Sequence, residues 1–246
     1  SGKTRVLVHR IAWLIEAEQA SPQGILAVTF TNKAAAEMKS RVDQLLGTEL
    51  PGLWISTFHS ACVRILRREA NRFGYKSSFS IYDGADSLRL VNYCLRDLDL
   101  DTKRFPPRNI RAAISNAKNE LIDHETFASQ GSGYFHEQVS EVHRLYQQRL
   151  VEASAMDFDD LLMITCELFQ AFPDVLRTYQ ERFRYVLIDE YQDTNHAQYV
   201  LVKLLTEQSQ NLCVVGDGDQ CLPPGTMVAT AGGAQPIESI AEGDEV

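Results

Sequence analysis

Four residues far apart in the sequence have the types and spacing for phosphate chemistry: Lys3 and Thr4, and the acidic pair Asp189 and Glu190 in the run YVLIDEYQDTN. Ser1-Gly2-Lys3-Thr4 matches the last part of G-x-x-x-x-G-K-[ST]. In that motif backbone N–H groups at a helix N-terminus cradle phosphates, the lysine reaches the β- and γ-phosphates, and the hydroxyl binds Mg²⁺. The motif's first glycine and preceding strand are absent from the sequence. Taken alone, G-K-T is common by chance, and a strand-end acidic pair serves equally well as a helix cap or ion-pair partner. Together they say more, because such a hydroxyl and a strand-end aspartate are the two protein ligands of a Mg²⁺ shared with nucleotide phosphates. The expected nucleotide-binding run is Ser1, Gly2, Lys3, Thr4 and Arg5, the expected metal ligands are Thr4 and Asp189, and the expected ligands are a nucleotide carrying β- and γ-phosphates and Mg²⁺.

These residues meet only if distant segments end along one edge of a sheet. Tyr185 to Ile188 reads as a buried strand that delivers Asp189 and Glu190 to its carboxyl end, where open α/β sheets place their ligands. Side-chain alternation then predicts that the two carboxylates point opposite ways and need not compete for one ligand. Asn211 to Val215 repeats the pattern and ends in Gly216-Asp217-Gly218-Asp219-Gln220. Upstream, Leu7, Ile11, Leu14 and Ile15 mark a helix to about Glu18. Ile25 to Phe30 is a strand, Thr31-Asn32 caps a helix from Lys33 to about Leu46, and Leu53 to Ser56 is another strand. Thr57-Phe58-His59-Ser60 then opens a helix carrying Arg64, Arg67, Arg68 and Arg72, and Phe79 to Tyr82 is a further short strand. The repeated strand-then-helix order predicts an α/β fold with a parallel sheet.

From Asp83 to about Ala155 the pattern becomes helical throughout: Asp83 to Leu98, Asn109 to Glu120, and a third helix marked by Val139, Val142, Tyr146 and Leu150. Gln130-Gly131-Ser132-Gly133 reads as a mobile loop among them. The expected division is an α/β unit, 1–84 and 156–220, with an all-helical insertion, 85–155. The α/β unit resumes at Met156-Asp157-Phe158-Asp159-Asp160-Leu161, an acidic helix start favoured by the macrodipole, and Pro173 closes that helix.

A composition of 44% apolar and 23% charged residues over 246 positions singles out no special class. The cysteines, Cys62, Cys94, Cys166, Cys213 and Cys221, form no CxxC pair, so neither a zinc site nor a disulfide framework is expected, and a reducing cytoplasm fits. No apolar run approaches the roughly 18 residues of a membrane span. The net charge of −9 hides an asymmetry: residues 1–124 hold 18 Lys+Arg against 13 Asp+Glu, and residues 125–246 hold 6 against 20. The basic first half leaves a nucleic-acid partner open, because phosphate affinity follows the local field.

Thr29-Phe30-Thr31-Asn32-Lys33-Ala34-Ala35, Thr57-Phe58-His59-Ser60, Asp157-Phe158-Asp159-Asp160-Leu161, Asp189-Glu190-Tyr191-Gln192-Asp193 and Gly216-Asp217-Gly218-Asp219-Gln220 occur in that order. In type and order they resemble the successive motifs of superfamily 1 DNA helicases of the UvrD/Rep/PcrA type, over residues 1–220. The resemblance implies a RecA-like P-loop NTPase motor with a helical insertion, driven by ATP with Mg²⁺, translocating on single-stranded DNA and opening duplex junctions in repair or replication. It also implies a second RecA-like domain outside this sequence. Glu190 would be the general base and Gln220 the γ-phosphate sensor. Phe30, Thr57 and His59 would lie along single-stranded DNA, the aromatic stacking on bases of any sequence. Without the family, Phe30 reads as a core residue, His59 as a helix cap, and the arginines after it as a solvated helix face.

After Gln220 the sequence departs from the helicase pattern. Residues 221–246, CLPPGTMVATAGGAQPIESIAEGDEV, resemble the amino-terminal splicing block of an intein, with Cys221 as nucleophile and a short β-rich tail. The chain is therefore expected to be a piece of an intein-interrupted helicase gene, weakly active by itself. Two other readings stay open: a self-processing precursor whose chemistry is thioester formation at Cys221, and a DNA-binding scaffold that does not hydrolyse ATP.

Overall fold

The computed structural model describes residues 2–217, 227–230 and 233–236. Its centre is a four-stranded parallel sheet in the order β2-β1-β5-β6. The strands are β1 (Ile25–Thr29), β2 (Trp54–Thr57), β5 (Tyr185–Ile188) and β6 (Leu212–Val214). Every residue of β1 is buried, as a strand covered on both faces requires. Alternation along the strands sorts the two cores. Leu26, Val28, Trp54, Val186 and Ile188 pack under α3 (Phe58–Glu69), α8 (Phe158–Ala171), α9 (Pro173–Arg182) and α10 (His196–Thr206). Ile25, Ala27, Ile55 and Leu187 face α1 (Gly2–Glu16) and α2 (Asn32–Leu46).

Caps set where the helices begin. Thr31 accepts from Ala34 N at 3.1 Å to start α2, and Asn195 with Gln198 forms a capping box at α10. Asp157 and Asp160 form another at α8, as the acidic helix start predicts.

Two expectations about the chain's path need correction. The strand read from Phe79 to Tyr82 is β3 (Ser80–Tyr82), and it lies outside the main sheet. It pairs in parallel with β4 (Ala155–Asp157), a strand hidden in the sequence because it is three residues long and runs directly into α8. Pro173 does not simply end a helix: it is the first residue of α9, where a missing N–H costs nothing.

Between β3 and β4 lie α4 (Gly84–Asp97), α5 (Pro107–Asn119), α6 (His124–Gln130) and α7 (Tyr134–Glu152). They share a core of their own around Val91, Leu95, Phe105, Ile110, Tyr146 and Leu150. The short α6 has no counterpart in the sequence reading, and Gly131 to Gly133 is its link to α7. Beyond the main body, β7 (Met227–Thr230) and β8 (Gly233–Pro236) pair antiparallel. Among the described residues, no helix is long and apolar enough to cross a membrane.

Candidate functional site

The carboxyl end of β5 meets the start of α1. Asp189, 3% exposed, continues the sheet ladder by donating its N–H to Val28 O at 2.9 Å. Its Oδ2 accepts from Thr4 Oγ1 at 2.9 Å. Lys3 Nζ donates to Glu190 Oε2 at 2.7 Å and lies 3.9 Å from Asp217 Oδ2, beyond the end of β6. Segments separated by nearly the length of the chain thus converge. Arg5 is exposed one residue further along α1, and Ser1 and Gln220 lie outside the described residues.

Asp189 and Glu190 are separated by a backbone turn, not by strand alternation as expected. β5 ends at Ile188, and Glu190 adopts a left-handed conformation, φ 51° and ψ 47°, costly for a residue with a Cβ and common at functional sites. The turn leads into a 3-10 segment, Tyr191–Asp193, pinned where Tyr191 N donates to Val215 O at 3.0 Å. Gln192 completes the frame: its Nε2 donates to Glu190 Oε2 at 2.9 Å, and its Oε1 accepts from Asp217 N at 2.9 Å. Gly216 permits this approach, since a Cβ there would stand 2.9 Å from Gln192 Oε1. The Gln192 and Lys3 hydrogen bonds hold Glu190 below the usual carboxylate range, and the bond to Glu190 raises Lys3. Gln192 was quoted in the motif, but its bracing role depends on the left-handed turn, which has no sequence signature.

Thr4 Oγ1 and Asp189 Oδ2 are adjacent hard oxygen donors beside a lysine, a set that fits Mg²⁺ shared with phosphate.

A second concavity of about 560 Å³ opens at the carboxyl ends of β1 and β2. It gathers Phe30, Asn32, Thr57, His59, Ile81 and Phe158, so the three residues expected along DNA line one groove. Their roles are mixed. Phe30 packs edge-on against Phe58 at 5.9 Å and is part core, part wall. Thr57, 7% exposed, is the α3 cap, accepting from Ser60 N at 3.2 Å, so His59 is not. His59 meets Phe158 edge-on at 5.6 Å, and burial lowers its pKa against the pull of Asp159. Phe158 is 47% exposed in the groove; its run was matched to a helicase motif and read as a helix start, with no DNA contact assigned to it.

On α3, Arg64 and Arg68 are exposed, as the solvated-face reading has it, and Arg67 is half-buried; two of the three also lie over aromatic rings. Arg64 stacks on Trp54 at 4.0 Å, and Arg67 stacks on Phe79 at 4.0 Å while donating to Ser77 O at 2.8 Å.

Behind the groove, Lys118 on α5 is 1% exposed and lies 2.8 Å from both Asp157 Oδ2 and Asp160 Oδ1, with Tyr146 donating to Asp157 Oδ2 at 2.8 Å. Burial would raise Asp157, but Lys118 holds it below the ordinary range; burial and Asp157 push Asp160 up to about 6. A cavity of about 340 Å³ adjoins this network, lined also by Tyr75, His143 and Glu167. Its lining includes none of Lys3, Thr4, Asp189 or Glu190, and burial keeps His143 neutral, with a pKa of about 3.

The model of the UvrD/REP helicase N-terminal domain matches residues 1–222. The chain is 54% identical over 222 residues to "ATP-dependent DNA helicase PcrA" of Bacillus subtilis. It is 51% and 50% identical, over the same number of residues, to proteins of that name from Staphylococcus epidermidis and Staphylococcus aureus. Each comparison covers 90% of this chain and 30% of the relative, so the chain spans about a third of the length of these relatives. With the family's match extending over nine-tenths of the sequence and the acidic strand end seated against Lys3 and Thr4, the chain belongs to the UvrD/REP helicase N-terminal domain family.

Proposed function

We propose that this chain is the first motor segment of an ATP-dependent DNA helicase, coupling ATP hydrolysis to movement along single-stranded DNA and to opening of duplex junctions. Residues 1–84 and 156–220 form the RecA-like motor and 85–155 its helical insertion. The observation that carries the reading is the convergence of Lys3, Thr4, Asp189, Glu190 and Asp217 beside the sheet's carboxyl edge. The relatives carry the name ATP-dependent DNA helicase.

In this reading incoming β- and γ-phosphates compete with Glu190 for Lys3. Drawn to the phosphate, Lys3 leaves Glu190 with one hydrogen-bond donor fewer and a higher affinity for a proton. Glu190 then accepts the proton of the attacking water as the new O–P bond forms and the bond to the ADP oxygen breaks. Bound Mg²⁺, held by Thr4 and Asp189, supplies charge neutralisation of the phosphates. Gln220 acts as γ-phosphate sensor. Bases of single-stranded DNA stack in the groove of Phe30, Thr57, His59 and Phe158.

Phe158 tests the DNA assignment because it is exposed and its loss leaves no core cavity. At the full length of the relatives, Phe158→Ala weakens binding of an oligo-dT strand by about 1–3 kcal/mol, as for a base-stacking aromatic, while DNA-free ATP turnover holds. Fluorescence anisotropy reads the affinity, and an unchanged Kd removes Phe158 from the DNA path.

A second reading concerns the tail, and one observation favours it: the family match stops at residue 222. Cys221 begins an intein splicing block. Its thiol adds to the Gln220 carbonyl, a C–S bond forms, the C–N bond breaks, and the amine takes the thiol proton. Incubation with dithiothreitol then releases a fragment ending at Gln220, visible by mass spectrometry; an uncut chain ends this reading and leaves the motor assignment intact.

A further inference from the structure

The hydrogen bonds leaving the nucleotide loop continue past Gln192. Two residues beyond the Tyr191–Asp193 turn, Asn195 caps α10, its Oδ1 accepting from Gln198 N at 2.9 Å. That bond fixes which way the Asn195 amide faces. Its Nδ2 therefore points outward, and it donates to Asn119 Oδ1 at 2.6 Å. Asn119 is the last residue of α5, 76 positions earlier in the sequence.

With its oxygen committed to Asn195, Asn119 must present its Nδ2 to the other side. There it reaches Ser115 O at 2.9 Å and Asp159 Oδ1 at 3.2 Å. The orientation is self-consistent: a flipped Asn119 would set two donors against each other on one side and two acceptors on the other. Asp159 stands in the first turn of α8 beside Phe158, whose ring meets His59 in the groove. One half-buried amide thus joins the loop that carries Glu190 to the helix that carries Phe158.

We propose that Asn119 is a positioning residue that transmits occupancy of the nucleotide site to the DNA-side groove, by holding Asn195 and Asp159 at once. The proposal rests on the two site assignments made above. Any shift of the 190–195 loop when Lys3 turns to phosphate moves Asn195, and Asn119 passes that displacement to the start of α8. Asn119 touches none of the reacting atoms. Its loss should therefore spare each site and uncouple them.

The test uses the protein at the full length of its relatives. Two quantities are measured with oligo-dT and a non-hydrolysable ATP analogue: ATP turnover without and with DNA, and DNA affinity without and with nucleotide. Asn119→Ala leaves DNA-free turnover and nucleotide-free DNA affinity within about twofold. It reduces the effect of nucleotide on DNA affinity by about 5- to 150-fold, the usual span of a coupling between binding sites, and stimulation of turnover by DNA falls with it. Asn195→Asp keeps the cap's acceptor and replaces the Nδ2 donor by a charged acceptor facing Asn119 Oδ1, so it breaks the same link while α10 keeps its cap. Because both changes cut the same link, the double variant is no worse than either alone. Stimulation retained within about twofold in both single variants, or losses that multiply in the double, overturns the proposal. A fall in DNA-free turnover with Asn119→Ala also overturns it, since the residue would then be structural. If the wild type shows no stimulation by DNA, the failure belongs to the helicase reading.

Discussion

Glu190→Gln, at the full length of the relatives, lowers single-stranded-DNA-stimulated ATP turnover by about 10²- to 10⁴-fold, the usual loss when a general base is removed. The substitution suits the site because glutamine keeps the shape and an acceptor oxygen for Gln192 Nε2 and Lys3 Nζ, which both bond Glu190 Oε2. What it removes is the ability to take a proton. Nucleotide affinity should hold or rise, because Lys3 no longer has an ionised partner competing with phosphate. Steady-state turnover with an equilibrium nucleotide titration separates the two quantities. Turnover within about tenfold of wild type would assign the base elsewhere.

Lys118→Met destabilises the fold by about 3–5 kcal/mol, the usual cost of removing one partner of a buried ion pair. Lys118 faces Asp157 and Asp160, its side chain and that of Asp160 both 1% exposed. Without the ammonium, two buried carboxylates lose their shared counter-ion and at least one must take up a proton. Adding Asp157→Asn and Asp160→Asn to Lys118→Met should recover much of the loss, because asparagine still caps a helix and needs no counter-ion. Urea denaturation of the three-substitution and single-substitution proteins measures both effects. A single variant within about 1 kcal/mol of wild type would show that solvent reaches the cluster.

The sequence makes legible what depends on local pattern. The buried strand Tyr185–Ile188, the caps at Thr31, Asp83 and Asp157, and the strand-helix order each rest on residues within a few positions of one another. Meeting of Lys3 and Thr4 with Asp189 and Glu190 was foreseeable because a phosphate site with its metal, as proposed, would demand both. Three features escaped for a common reason, that each is a contact between distant segments with no periodic signature. Lys118 reads as a polar residue on a helix until Asp157, 39 positions on, closes over it. Arg64 and Arg68 on α3 are exposed as read, but the stacking of Arg64 on Trp54 and of Arg67 on Phe79 joins segments the sequence does not pair. β4 is three residues long and is a strand only because β3 lies beside it.

That ribbon also constrains how the molecule could be shortened. Ser80 pairs with Ala155 and Tyr82 with Asp157 in the same direction, so the chain departs at one end of the ladder and returns at the other. A two-residue hairpin turn cannot join parallel neighbours, and a crossover needs a dozen residues or more. Residues 83–154 are thus one oversized crossover, and any deletion that pares this protein to its sheet must leave a bridge of roughly that minimum length.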